Sequence, residues 1–250
     1  MGLEARIISI LIFLICILPG PDVAAQGCPD GLLYQENTTL EYKTYKKKKS
    51  KPTYISRHQV IKLQQLEDRT LAHIKCGIYE RDGDLEYSFD YFIGCKDDKL
   101  IIDKAILGDP DNLVLFDDKE FSFDGKNIHY PANAKPGDTL RQAAHIVEVN
   151  TGPVKIATIA TDAISRIVEA EQNVVTPAGT FRCLRISYVT ELKRGSKAFS
   201  FTSRNYIVEF VTPGLGVVRS EVRKKSGKLK TYTQLEKLEN PKTTPPDTKI

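Results

Sequence analysis

The stretch that most constrains the fold covers residues 174–238. It reads VVTPAGTFRCLRISYV, then FSFTSRNYIVEFVTPGLGVVRSEV, then KLKTYTQLEKL. Extended segments rich in β-branched and aromatic residues are cut apart by Pro177-Ala178-Gly179, Lys193-Arg194-Gly195-Ser196, residues 212–216 and Lys224-Lys225-Ser226-Gly227. Proline presets a turn and glycine supplies positive φ, so each break reads as a chain reversal. Strands joined by such short reversals predict an antiparallel meander. Phe199 and Phe201 share one parity, and Tyr206, Val208 and Phe210 share the other. That switch predicts a bulge or bend near residues 203–205.

A second hairpin is written upstream. Thr70, Ala72, Ile74, Cys76 and Ile78 alternate with Leu71, His73 and Lys75; beyond Asp82-Gly83, Tyr87, Phe89, Tyr91, Ile93 and Cys95 alternate with Glu86, Ser88, Asp90 and Phe92. Period-two patterning on both sides of Asp-Gly is a strong hairpin signal. With Asp82 and Gly83 as the loop, Arg81 faces Asp84, Cys76 faces Phe89 and Thr70 faces Cys95. Tyr87, Phe89, Tyr91 and Ile93 then form an apolar face, which serves as core or as the wall of a ligand site.

The register bears on the thiols. Cys76 and Cys95 lie six steps apart on one face, roughly 20 Å at about 3.3 Å per residue, against a Cα limit of about 7 Å for a disulfide. They do not pair with each other. Cys28 and Cys183 remain as partners in either arrangement, and free buried Cys76 and Cys183 are equally acceptable.

Disulfides are open to this chain because its start reads as a secretory leader. A short polar head with Arg6 precedes the apolar run 7–18; Pro19, Gly20 and Pro21 break it, and Val23-Ala24-Ala25 offers small residues for cleavage. The run is too short to span a bilayer, which needs about 20 apolar residues. Residues 1–25 are therefore expected to be a signal peptide, 26–239 one β-rich domain and 240–250 a disordered Pro- and Lys-rich tail. Cys28 follows Gln26-Gly27 and Cys16 follows Leu14-Ile15, neither of which favours a lipid anchor.

Between these landmarks, residues 39–45 and 54–66 read as strands around the lysine-rich loop 46–51, best taken as a solvated hairpin tip. Residues 120–123 and 126–130 read as short strands, and 138–150, 153–160 and 163–175 as longer ones, with Thr161-Asp162 as a tight connection. Asp109 and Asp111 lack the third ligand and the glycine of a calcium loop. The sum is a mostly β chain: an antiparallel, strongly curved half-barrel or sandwich of about eleven strands.

Chemistry is sparse. His58, His73, His129 and His145 are scattered without HExxH spacing, and no Gly-x-Ser-x-Gly elbow occurs. The formal charge of +4 is modest and mixed along the chain, which argues against nucleic acid. No cofactor is implied. One geometric feature stands out. In a meander, Lys193, Arg194 and Lys197 lie at the same end of the sheet as Arg223, Lys224, Lys225 and Lys228. They form a candidate basic rim, which either guards an edge or contacts anionic lipid or glycan.

Four pieces of the sequence also resemble a known family: 95–103 (CKDDKLIID), 128–140 (IHYPANAKPGDTL), 174–186 (VVTPAGTFRCLRI) and 213–221 (PGLGVVRSE). In this order they resemble the DUF3108-like, or TapB-like, secreted bacterial proteins of unknown function. The resemblance implies a periplasmic β protein whose fold is similar to the half-barrels of lipoprotein carriers, with no catalytic residues to carry over. It also implies the pairing Cys28–Cys95. The expectation is a non-enzymatic exported scaffold that binds a lipid or other apolar ligand within its curved sheet. The alternative is an envelope interaction protein that works through the basic rim without an internal pocket. The partner protein stays open.

Overall fold

The structure is a computed structural model that describes residues 31–47, 49–97, 99–104, 119–195 and 200–240. The expected leader, Cys28, Asp109, Asp111, Lys197, Phe199 and residues 241–250 of the expected tail lie outside them.

The described chain opens with a 3-10 turn, Leu32–Tyr34, and then forms thirteen strands. The first seven are β1 (Thr39–Lys46), β2 (Tyr54–Gln65), β3 (Thr70–Tyr79), β4 (Leu85–Lys96), β5 (Lys99–Ile102), β6 (Glu120–Lys126) and β7 (Ile128–Pro131). The rest are β8 (Ala143–Thr151), β9 (Val154–Thr176), β10 (Gly179–Gly195), β11 (Ser200–Thr212), β12 (Gly216–Arg223) and β13 (Leu229–Glu239). All belong to one sheet in the order β6-β8-β9-β10-β11-β12-β13-β1-β2-β3-β4-β5-β7. The expected meander is present as β9 to β13, and β13 pairs antiparallel with β1 to join the two halves.

The sheet must curl. Its two edge strands, β6 and β7, are separated in the chain by Asn127 alone. Two peptide steps span only about 7 Å, so opposite edges of a thirteen-stranded sheet are brought together. β8 covers β9 as far as Ala163, and residues 137–140 then continue along β9: Leu140 N donates to Arg166 O at 2.8 Å and Val168 N to Asp138 O at 3.0 Å. The result is a nearly closed barrel. The main core fills the inside, with Val60, Ile74, Cys76, Val168, Cys183, Ile186, Val218 and Leu235 all at 1% exposure or less, and a smaller cluster of Val147, Val149 and Ile159 packs on β8 and β9. Each such aliphatic side chain contributes roughly 1.5–3 kcal/mol by leaving water.

The β3–β4 hairpin keeps the expected pairs Thr70↔Cys95 and Cys76↔Phe89. Its turn differs. Gly83 N bonds to Glu80 O and Glu80 N to Asp84 O, so Arg81 lies in the loop and a bulge at Ile78/Tyr79 restores the register. Gly83 at φ 101 supplies the left-handed residue that a three-residue loop requires.

Three other expectations are corrected. Thr161-Asp162 is not a turn: β9 runs unbroken over 23 residues, because its ladder to β10 continues through Leu192↔Thr161 and Glu191↔Asp162. No bulge occurs at residues 203–205, where the β10–β11 register is continuous; the shift lies at Phe210/Val211 against β12. The parity change arises instead because β11 runs past the barrel wall there, leaving Phe201 at 61% exposure. The expected disulfide set is also revised: no disulfide joins two of the described residues, so the pairing Cys76–Cys183 is excluded, whereas Cys28–Cys95 involves a residue outside them. Cys76 and Cys183 are free and buried, on strands separated by β11, β12, β13, β1 and β2, and Cys183 Sγ faces Phe181 O at 3.4 Å. Cys95 is not among the free thiols.

Candidate functional site

Two polar clusters are set into the apolar interior. The first gathers on β1 to β4. His58 on β2 stands opposite Cys76 on β3, and its Nε2 lies 3.7 Å from Cys76 Sγ and 3.2 Å from Ser56 Oγ. Its Nδ1 meets the Tyr91 hydroxyl at 2.9 Å, and the Tyr42 and Tyr91 rings stand edge-on to the imidazole at 5.2 and 5.8 Å. A thiol beside an imidazole is the outline of a nucleophilic pair, which needs a lowered thiol pKa and a proton-accepting histidine. Here both groups shift the other way. Burial pushes the Cys76 thiol up to about 12 and His58 down to about 4, so both are neutral at pH 7. The cluster is a neutral polar plug.

The second cluster closes the barrel. Arg166 on β9 is 1% exposed, and its Nη1 donates to the carbonyls of Arg141 at 2.9 Å and His129 at 3.2 Å. Its guanidinium lies 4.8 Å over the Tyr130 ring and 5.8 Å from that of Tyr188. Both tyrosine hydroxyls donate at 2.6 Å to the buried Glu209 on β11, one to each carboxylate oxygen. Burial, then the Glu209 charge, drives both phenols well above their ordinary range. Charge-assisted bonds of this length are strong. They join β7, β9, β10 and β11 across the barrel.

The four histidines do not converge. His73 is on the outer face, bonded to Asp90 at 2.8 Å and stacked on Phe92. His129 is on β7; burial and then Arg141, Arg166 and Lys99 hold it below its ordinary range. His145 is buried and stacks on Phe123. Among the described residues, no group of three or more His, Cys, Asp or Glu is placed to hold a metal ion.

In the candidate apolar face, Tyr91 and Ile93 are buried in the core, whereas Tyr87 and Phe89 are half-buried nearer the β3–β4 turn. Their rings stack at 6.2 Å, and Phe89 meets Tyr91 at 6.0 Å.

The candidate rim divides in two. Arg223 stands opposite Tyr206, while the β10–β11 ladder continues six residues further, to Gly195↔Ser200. That separation is roughly 20 Å along the strand. Lys193 is engaged by Asp162 at 2.8 Å and Glu191 at 3.7 Å, and Arg194 pairs with Phe201 within the ladder. Lys224, Lys225 and Lys228 have a different neighbour. Lys47 N donates to Lys230 O at 3.0 Å, which clamps the β1–β2 turn against the start of β13. Lys46, Lys47, Lys49 and Lys51 therefore sit beside Lys224, Lys225, Lys228 and Lys230, all exposed. None of the eight forms an ion pair among the described residues, whereas Arg223 is held by Glu221. Beside this lysine end, a groove of about 380 Å³ separates Lys46, Lys49 and Lys51 from Glu80, Asp82 and Glu86 of the β3–β4 turn.

These features define an antiparallel β scaffold curled from a single sheet, with one neutral polar cluster around His58 and one charged cluster around Arg166 and Glu209 in its interior. The chain belongs to the DUF3108-like family, whose model matches residues 35–235. No curated protein matches it. Two crystal structures share its fold. One is a candidate exported protein with a YmcC-like fold from Bacteroides fragilis, 20% identical with TM-score 0.67, covering 82% of this chain and 97% of its own. The other is a candidate lipoprotein from Parabacteroides distasonis, 21% identical with TM-score 0.69, covering 86% of this chain and 100% of its own.

Proposed function

We propose that the protein is an exported, non-catalytic β scaffold of the cell envelope that docks on an anionic surface through its lysine end. The leader-like residues 1–25 and the descriptions of the two structural neighbours support export. The observation that carries the docking reading is the Lys47–Lys230 backbone bond, which brings two lysine turns together without acidic partners among the described residues. Each lysine near a charged leaflet contributes about 1 kcal/mol, within a Debye length of about 8 Å at physiological salt. The acidic β3–β4 turn borders the patch on one side and orients the contact. An internal lipid chamber has less support, because the stripe from Tyr87 to Ile93 lines neither groove and its inner half is packed in the core.

Co-sedimentation with vesicles containing phosphatidylglycerol tests this. Binding is expected to fall with salt, and replacing Lys49, Lys51, Lys224 and Lys225 by Ala should weaken it about a hundredfold or more. Binding that is unchanged by the substitutions would remove the lysine end as the docking surface.

A further inference from the structure

At the opposite end of the barrel, a groove of about 300 Å³ opens where the sheet closes on itself, between the β4–β5 turn, β7 and residues 139–141. We propose that it binds a phosphomonoester anion. Lys96, Lys99, His129 and Arg141 line it, with Asp97 the one acid among the described lining residues. Lys96 is engaged by Asp68, but Lys99 and Arg141 form no ion pair among the described residues. A further cation, outside the lining itself, is bonded to the backbone of two lining residues. The buried Arg166 guanidinium donates Nη1 to the carbonyls of His129 and Arg141, and its buried Nη2 has no hydrogen-bond partner. Lys99 and Arg141 are thus left without a carboxylate of their own among the described residues, while Arg166 has Glu209 beyond the tyrosine rings. The field is felt by His129, whose pKa is lowered by burial and then by Arg141, Arg166 and Lys99.

The walls restrict the group that the anion can carry. Ile101, Pro131 and Leu140 give the groove an apolar side. Its volume equals roughly ten water molecules at about 30 Å³ each, enough for a headgroup and a few carbons and too small for a whole lipid. A phosphomonoester with a short buried apolar segment fits both charge and size. This site stands apart from the lysine end, so the failure of either leaves the other intact.

The test is calorimetric titration of the purified protein with hexyl phosphate, inorganic phosphate and hexyl glucoside. Hexyl phosphate is expected to bind and hexyl glucoside is not. The double substitution Lys99→Ala and Arg141→Ala keeps the backbone carbonyl that Arg166 uses. It should weaken hexyl phosphate about tenfold or more, as the loss of charge-assisted bonds requires. Lys224→Ala with Lys225→Ala should leave it unchanged. Inorganic phosphate binding as tightly as hexyl phosphate would identify free phosphate as the ligand, and weaker binding would identify an esterified one; both support the site. Absence of binding by both phosphates, equal binding of hexyl glucoside, or indifference to the Lys99/Arg141 substitution would overturn it.

Discussion

Arg166→Met removes a side chain that ties β7 and the segment behind it to β9. The methionine fills a similar volume, so the loss is electrostatic. Two bonds from a charged donor vanish, and the carbonyls of His129 and Arg141 lose that donor. The guanidinium that neighbours the Tyr130–Glu209–Tyr188 cluster also goes, leaving the buried carboxylate without its cation. Breaking a buried charged arrangement from one side costs about 3–5 kcal/mol. In a chain of this size each kcal/mol shifts Tm by about 2–4 °C, so the variant should melt roughly 10 °C lower. The damage should also be local. Gly137 N bonds to Val168 O, Leu140 N to Arg166 O and Val168 N to Asp138 O. Those three amides should lose hydrogen-exchange protection before the amides of the β3–β4 hairpin do. A variant within about 1 kcal/mol of wild type, or one whose exchange accelerates uniformly, would refute the view that Arg166 staples the barrel shut.

Two further outcomes test His58 and the edge strand β6. His58 has a folded pKa of about 4 against an ordinary 6.5, so between these values the unfolded chain binds a proton that the folded one does not. Stability is then fully present above pH 6.5 and declines as pH falls toward 4. The limit is about 3 kcal/mol, and about 2 kcal/mol after allowing for solvent at this half-buried residue. Denaturant midpoints at pH 7.5 and 4.5 should therefore separate less in His58→Gln than in wild type; an identical separation would show that His58 does not titrate with folding. Gly125 has φ 135, and a Cβ there would stand 2.0 Å from the Ala144 carbonyl oxygen. Gly125→Ala should cost more than about 2 kcal/mol, read as a lower denaturant midpoint with earliest exchange in β6. An unchanged midpoint would mean that the edge strand gives way freely.

The sheet was legible wherever the chain states its own register. Alternation on both sides of Asp82-Gly83 gave Cys76↔Phe89 correctly, since a one-residue slip would turn every apolar side chain outward. Pro-Gly breaks located the meander for the same reason. The chain between 153 and 175 was less readable. Thr161-Asp162 has turn composition, yet a long strand paired on both sides along its first half outweighs a local preference. The lysine end was half legible: both lysine runs are plain in the sequence, but their adjacency depends on β13 pairing with β1, a contact between opposite ends of the domain. Counting turns instead grouped Arg223 with Lys193, because composition does not reveal how far each hairpin extends.

Neither interior polar cluster was visible, and bulges explain both. Counted from the β2–β3 loop, where Gln65 pairs Thr70, the register would set His58 opposite Gly77. The shift between Val60 and Lys62 moves it one step, to Cys76, and brings imidazole and thiol to the inner face together. On β9, Ile159, Thr161 and Ala163 point inward, and unbroken alternation would bury Ile167 and expose Arg166. Ser165, in the left-handed region at φ 54, inverts that order: Arg166 is 1% exposed and Ile167 42%. A bulge adds a residue without changing composition or local hydrophobicity, so period-two reading passes over it. It is also the cheapest way to turn a charged side chain into an apolar barrel while keeping both flanking ladders. The free-energy cost of burying Arg166 is offset only at the place where it finds two carbonyls, two aromatic faces and a nearby carboxylate. The position of Ser165 is therefore tied to closure of the sheet: without the bulge the staple would point into solvent, and without the closing segment the bulge would bury an unpaired charge.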